Sequence, residues 1–463
     1  MDVRQGFRDT VGNTPLIRLK EASENTGCDI YGKAEFLNPG GSVKDRAALY
    51  IVKDAEDKGL LKPGGVIVEG TAGNTGIGLA LVGCASSYRT IIVIPDTQAK
   101  EKKDMLRLAG ADLREVPAVP YRDPENYVHV SERIAKEIAE SHPHGAIWAN
   151  QFDNVANRDA HYHGTGPEIW EQTAGEIDAM VCGVGSGGTI TGLARYFKGV
   201  KPSVEMILAD PEGSILAGLV NDGVAGELGS WVVEGIGEDF VPPNCDIDLI
   251  TKAYSIPDYE SLATARELLA VEGVLAGSST GTLLSAALRY CREQTSAKTV
   301  VCLMPDSGNK YLSKMFNDFW MTDQGFIQRP QHGDLRDLIS RSFDDRAVVA
   351  ASPDDTLLSA YGRMRMADVS QLPVLDGDKI IGIIDESDLL LSLYQNQEHF
   401  ADPVSGFMTD RLEMLAPSEP MENLLPILRA DRVAIIVEDG HFLGLITKVD
   451  LLNHLRRNAV VEA

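Results

Sequence analysis

Cysteine is sparse in this chain. Its six residues, Cys28, Cys84, Cys182, Cys245, Cys291 and Cys302, show no CxxC pair and no zinc-ligand spacing. That excludes a disulfide scaffold and a structural zinc module, and it points to buried thiols in a reducing compartment. Basic residues are also short: 43 Lys and Arg stand against 68 Asp and Glu, a formal net charge of -25. Such a surface repels polyanions, so neither nucleic acid nor membrane is expected as a partner. No apolar run approaches bilayer-spanning length, and Met1-Asp2-Val3-Arg4-Gln5-Gly6 lacks the apolar core of a secretory signal. A soluble, cytoplasmic protein of more than one domain is expected from 463 residues.

What is present centres on Gly40-Gly41-Ser42-Val43-Lys44-Asp45-Arg46. Ser42 reads as the N-cap of a helix carrying Ala47, Ala48, Leu49, Ile51 and Val52 as its apolar residues. A lysine is badly placed in a first helical turn, where the positive end of the dipole and unpaired amides gather. That field lowers the pKa of Lys44 and favours the neutral amine, which attacks a carbonyl to form a Schiff base. A solvated surface lysine beside Asp45 and Arg46 is the plain alternative.

Downstream, short apolar runs alternate with helical segments. Val66 to Glu69, Thr90 to Ile94, Leu113 to Val116, Ala179 to Cys182, Met206 to Ala209 and Thr299 to Met304 read as strands. Residues 74–85, 98–109, 126–140, 189–197, 258–271 and 280–294 read as helices. The pattern implies mostly parallel sheets covered on both faces, with ligands beyond the carboxyl ends of the strands. Three glycine-rich turns fall there: Glu69 to Gly76, Gly183 to Thr189 and Ala276 to Gly281. Each is consistent with an ordinary tight turn, but each also opens a helix whose free amides suit an anion. Gly185 to Thr189 supplies amides and two hydroxyls to a phosphate, without the lysine of a nucleotide loop.

An amine for an aldehyde, a cradle for a phosphate and hydroxyls for a ring nitrogen describe a pyridoxal-phosphate site. Residues 1–321 resemble the cystathionine β-synthase family among fold-type II pyridoxal-phosphate enzymes. The resemblance runs through Gly12-Asn13-Thr14-Pro15-Leu16, Ser42 to Arg46, Gly73-Asn74-Thr75-Gly76, Gly185 to Thr189, Asp210 to Ser214, Glu234 to Gly237 and Pro305-Asp306-Ser307. It implies an α/β, two-lobed catalytic domain with mostly parallel sheets. Lys44 would hold the cofactor covalently and then move protons during catalysis. Asn74 would bond the ring's phenolic oxygen, Gly185, Ser186, Gly187, Gly188 and Thr189 would take the phosphate, and Ser279 would face the pyridine nitrogen. Thr71, Ala72, Gly73, Thr75 and Gln151 would surround the substrate carboxylate. Two positions depart from the family: Ala72 stands where relatives often have serine, and Glu238 where several eukaryotic members have tyrosine. At the site mouth, Glu238 would repel a thiolate or bind an ammonium. The similarity begins almost at Met1, so no haem is expected.

His161 and His163 are spaced i, i+2, on different faces of a helix, which favours packing or capping over metal ligation. No metal site is expected. Residues 322–333 read as a linker, and 334–463 hold an internal repeat. Leu372 to Asp388 matches Ala434 to Asp450, each a strand, turn, strand and helix. This resembles a tandem CBS-motif (Bateman) module of α/β type, in which Asp450 would accept ribose hydroxyls and Thr447 would donate nearby. The first repeat has Asp385 where a hydroxyl residue is usual, which favours S-adenosylmethionine over an adenine nucleotide; a purely structural module is the alternative.

The expected activity is β-replacement of the serine hydroxyl by homocysteine, giving cystathionine and water, with hydrogen sulfide release from cysteine as a side reaction. A cysteine synthase using O-acetylserine and sulfide is one rival. An adenosyl-ligand sensor with a scaffold catalytic domain is another. A homodimer or higher homo-oligomer follows from the resemblance.

Overall fold

The computed structural model describes residues 3–460 apart from Ala72, Ala99, Tyr121 and Arg329. The chain divides into two compact units, Met1–Phe316 and Asn317–Ala463. The short helix Asp318–Asp323 therefore groups with the C-terminal unit, where Trp320 packs on Phe326 and Met321 is buried.

The first unit contains two sheets. The larger has six strands in the order Leu16–Arg18, Asp29–Ala34, Thr299–Met304, Ala179–Cys182, Glu205–Pro211 and Lys252–Ile256. Only the first pair is antiparallel. The smaller is wholly parallel, in the order Asp112–Val116, Arg89–Pro95, Val66–Gly70 and Ala146–Trp148. Its central strand Val66–Gly70 is buried along its whole length, as a parallel strand covered by helices must be. Separate apolar cores serve the two sheets, one around Met180, Leu208 and Val301, another around Ile67, Leu79 and Ile147.

The helix Lys44–Asp57 lies against the helix Asn74–Ala85, and glycine sets their separation. A Cβ at Gly78 would stand 3.1 Å from Ala48 Cβ and 3.2 Å from Asp45 Cα. This close approach brings two helix starts, at Lys44 and Asn74, to the same end of the unit. The predicted N-cap at Ser42 is displaced. Val43 occupies the cap, and Ser42 instead bridges Asp306 while its Oγ accepts the Lys44 amide at 3.3 Å. The pull comes from tertiary pairing, since Val43 N also donates to Pro305 O at 2.8 Å.

In the second unit the repeat is visible as structure. Gln371–Asp376 pairs antiparallel with Lys379–Asp385, followed by the helix Glu386–Gln395. Ala434–Glu438 pairs with His441–Ile446, followed by Lys448–Val460. Both hairpins shift register at the matching place, between Val374 and Leu375 and between Ile436 and Val437. Among the described residues, no helix is long and apolar enough to cross a membrane.

Candidate active site

Lys44 is the first residue of its helix and is half-buried. It lines a cavity together with Gly183, Gly185, Ser186, Gly187 and Thr189, and with Gly235, Ile236 and Pro305. A nucleophilic amine and a glycine-rich helix start thus face one space. Burial is the leading cause that lowers the pKa of Lys44, opposed by Asp306 and Glu238. Desolvation by burial, rather than the helix field, is the leading physical cause. A larger cavity of about 400 Å³ lies elsewhere, lined by residues including Arg46, Tyr50, Lys53 and Glu168. Arg46 and Glu168 are already paired there, so the nucleophile and the anion cradle belong to the smaller cavity.

The cradle is built under tight constraint. Gly187 caps the helix Gly188–Val200 in the left-handed region at φ 80°, and a Cβ there would meet Cys245 Cβ at 2.5 Å. A side chain at Gly185 would strike Gly235 O at 2.6 Å. Ser186 Oγ accepts from Asn157 Nδ2 at 2.8 Å, and Thr189 Oγ1 pairs with His161 Nε2 at 3.1 Å. His161 is fully buried beneath this loop and also bonds Thr165 Oγ1 at 2.9 Å through Nδ1. Burial, reinforced by Arg46, pulls its pKa down to about 3, so the imidazole is neutral and serves as a fixed partner for the threonine. The packing role expected of His161 is what the structure displays, but its hydrogen bond to the phosphate-type loop has no local sequence signal. His163 is exposed.

The loop after Val66–Gly70 is organised by a buried acid. Glu69 accepts the amides of Asn150 at 2.8 Å and Gln151 at 3.3 Å, and burial pushes its carboxyl up to about 8. Asn150 is thereby held at φ 47°, and Gln151 Oε1 accepts the Thr75 hydroxyl at 2.6 Å. Thr71 is buried and its Oγ1 accepts the Gly73 amide at 3.3 Å. Gly73, at φ 143°, caps the helix that Asn74 opens, and a Cβ on it would meet Lys102 Cδ at 2.6 Å. Ala72 lies outside the described residues.

Asn74 and Ser279 are tied to the cavity wall through the stretch after Thr299–Met304. Asn74 Nδ2 donates to Asp306 Oδ2 at 2.8 Å, and Asp306 O accepts the Gly277 amide at 2.9 Å. Gly277 caps the helix Ser278–Arg292, in which Ser279 is buried. Pro305-Asp306-Ser307 therefore stitches together the lysine, asparagine and serine segments. The ion cluster beside it joins Glu234 to Lys102 and, at 2.6 Å, to Lys314.

Glu238 feels Lys44 electrostatically, but burial, then Asp239 and Asp210, holds its carboxyl well above the usual range. Burial thus disfavours the anion that both thiolate repulsion and ammonium pairing require. Glu238→Gln, which keeps the neutral form at every pH, is expected to leave turnover near neutral pH within a few-fold. Steady-state rates check this: a loss beyond about 100-fold would instead mark Glu238 as a proton donor.

The donor set fits a phosphorylated aldehyde: an amine at a helix start, a rigid amide cradle facing it across one cavity, and a hydroxyl-bearing helix start held to its wall. Comparison with known proteins decides the matter. The family model described as "Pyridoxal-phosphate dependent enzyme" matches residues 7–306. The chain belongs to this family. The CBS domain model matches twice in the C-terminal unit, at residues 336–394 and 404–457. The enzyme is 45% identical to cysteine synthase 1 of Neurospora crassa over 71% of this chain and 88% of the relative. It is 36% identical to cystathionine beta-synthase of Apis mellifera over 97% of this chain and 90% of the relative. Among solved structures, O-ureido-L-serine synthase aligns with a TM-score of 0.62 at 34% identity, over 69% of this chain and 99% of its own. A hydrogen sulfide-producing enzyme from Fusobacterium nucleatum aligns with a TM-score of 0.60 at 33% identity, over 67% of this chain and 100% of its own. The chain is thus a pyridoxal-phosphate-dependent lyase-type enzyme with a C-terminal CBS pair.

In that pair, Asp450 Oδ2 accepts the Thr447 amide at 2.7 Å and the Thr447 hydroxyl at 2.5 Å, while Ser340 donates to Oδ1. Asp385 and Asp388 form the equivalent capping box in the first repeat. Both acids act here as helix caps.

Proposed function

We propose that this enzyme condenses serine with homocysteine, releasing water and forming cystathionine, with the first unit, Met1–Phe316, as catalytic domain and the CBS pair within 334–463 as regulatory module. The observation that carries the reading is length: cystathionine beta-synthase of Apis mellifera matches 97% of this chain, through both CBS repeats.

When bound, the cofactor supplies an aldehyde and an electron-withdrawing ring. The chain's residues do the rest. Lys44 would hold the cofactor through its aldehyde, and its free amine would take the α-proton of serine and return a proton to the departing hydroxyl. Gly185 to Thr189 hold the phosphate with amides and hydroxyls. Thr71, Gly73, Thr75 and Gln151 orient the substrate carboxylate, with Gln151 steadied by Glu69. Ser279 would offer the ring nitrogen an uncharged hydroxyl, which does not force a proton onto it and would favour loss of the β-substituent. The same chemistry with cysteine in place of serine releases hydrogen sulfide. Six free thiols are in keeping with a cytoplasmic setting, and the family resemblance with a homodimer or larger assembly.

The rival reading, cysteine synthase from O-acetylserine and sulfide, is favoured by the 45% identity to the Neurospora crassa enzyme. Rates with each donor and thiol separate the two: cystathionine from serine plus homocysteine at a higher kcat/KM supports the proposal, and a preference for O-acetylserine plus sulfide sinks it. Repeating the assay with S-adenosylmethionine, and titrating it by calorimetry, tests whether the cleft near Thr447 and Asp450 takes an adenosyl ligand; no heat and no rate change would remove regulation by that ligand.

A further inference from the structure

Lys310 is a buried ammonium that the scheme above leaves idle. It ends the short turn Gly308–Lys310 and is 2% exposed. Its Nζ donates to Gly40 O at 3.0 Å, to Gly41 O at 3.2 Å and to Asn74 Oδ1 at 2.8 Å. Burial lowers the pKa of Lys310, opposed by Asp306 and Asp45, and the three acceptors use all three protons of the ammonium form, which is the condition for keeping such a charge inside a protein. The first two bonds anchor it under the loop that leads into Lys44.

The third bond carries the inference. An amide whose oxygen is taken by an ammonium cannot turn over, because the turn would set NH2 against NH3+. Asn74 is therefore held with Oδ1 toward Lys310 and Nδ2 toward Asp306. One of its two N–H groups donates to Asp306 Oδ2 at 2.8 Å. That oxygen also accepts the Tyr311 hydroxyl at 2.7 Å, so the acid is fixed as well. The second N–H is the group left for a ligand. An ammonium on the far side of the amide polarises it and strengthens that donor toward an anion.

We propose that Lys310 is a positioning residue for the cofactor: it locks Asn74 with an N–H offered to the ring oxygen of pyridoxal phosphate and places a positive charge behind that donor, favouring the ionised oxygen. The proposal rests on the pyridoxal-phosphate reading of the Lys44 cavity and deepens it. The charged groups around Lys310 are Asp306, Asp45 and Lys102, with Lys44 on the other side of Asp306. Burial pushes the Asp45 carboxyl up to about 7, so Asp306 is the main counter-charge at neutral pH.

The test uses full-length apo-protein of wild type, Lys310→Met and Lys310→Arg, titrated with pyridoxal phosphate by absorbance and intrinsic fluorescence. Lys310→Met should weaken cofactor binding about tenfold, the loss of one charge-assisted contact. It should also move the pH at which the bound chromophore changes between ionised and neutral ring forms upward, since removing a cation disfavours the phenolate. Lys310→Arg, which keeps the charge, should recover most of both effects. Lys310→Gln makes the same comparison if the methionine variant does not fold. A cofactor Kd within twofold of wild type and an unmoved pH profile would overturn the proposal, and so would a lowered melting temperature with an unchanged spectrum. Wild type that takes up no cofactor would overturn the underlying reading instead.

Discussion

Lys44→Ala is expected to abolish turnover, by at least about 10^4-fold, while leaving the fold intact. The variant deletes the one amine among the residues lining the cavity that faces the Gly185–Thr189 cradle. No neighbour replaces it: Lys310 is bound to three acceptors, and Lys102 is paired with Glu234. Stability moves the other way. Burial depresses the pKa of Lys44, so burying this lysine is a cost, full below the lowered pKa, shrinking as pH rises and absent only above its unfolded value of 10.5. Alanine removes that cost and is the best helix former at the first residue of Lys44–Asp57. The variant should therefore melt no lower than wild type at neutral pH. Cystathionine formation retained by a well-folded Lys44→Ala would refute the assignment of the nucleophile.

Arg46→Ala, two residues further on, should fail for the opposite reason. The Arg46 guanidinium makes a bidentate pair with Glu35 at 2.7 and 2.8 Å and another with Glu168 at 2.7 and 2.6 Å, and reaches Thr14 Oγ1 at 3.2 Å. Its side chain is 4% exposed and that of Glu35 is fully buried. Removing the cation strands two carboxylates, relieved only in part by Lys33 on Glu168 at 2.7 Å and by the neutral donors Thr14 and Asn38 on Glu35 and Asn13 on Glu168. Breaking a buried network of this kind costs about 3–5 kcal/mol. Chemical denaturation at pH 7 checks the figure, and a deficit below about 1 kcal/mol would show that the network contributes nothing net. The pH dependence gives a second reading. Arg46 and Lys33 hold Glu168 down to about 2, and Arg46 leads the lowering of Glu35. Depressed carboxylates stabilise the fold above their unfolded values, and that stability is lost as pH falls from about 4.5 toward 2. The gap between wild type and Arg46→Ala should narrow over that window. Activity losses in this variant should track the unfolded fraction, because Arg46 belongs to the lysine helix but does not line the cavity containing Lys44.

The local elements were open to reading along the chain. Ala179–Cys182, Thr299–Met304 and Asn74–Ala85 are expected at those bounds and occur at them, because a short apolar run ended by glycine or proline, or a helix opened by glycine, is specified by adjacent residues. The repeated hairpin-helix of the C-terminal unit was legible for the same reason. The cap of the lysine helix was not. Ser42 is the better capping residue by type, yet its backbone is claimed by Asp306, 264 residues away in the chain.

By itself, then, the sequence determined the alternation of strand and helix, the family, the lysine at a helix start and the glycine-rich turns beyond the strand ends, since each depends on neighbouring residue types. The tertiary structure alone decided which groups face one another: His161 beneath Thr189, Lys310 behind Asn74, Glu69 under Gln151, and Arg46 between Glu35 and Glu168. It also decided that Lys44 and Glu238 are driven toward their neutral forms by desolvation. Burial and partner choice are sums over atoms from distant segments, and no local window of the chain contains those atoms.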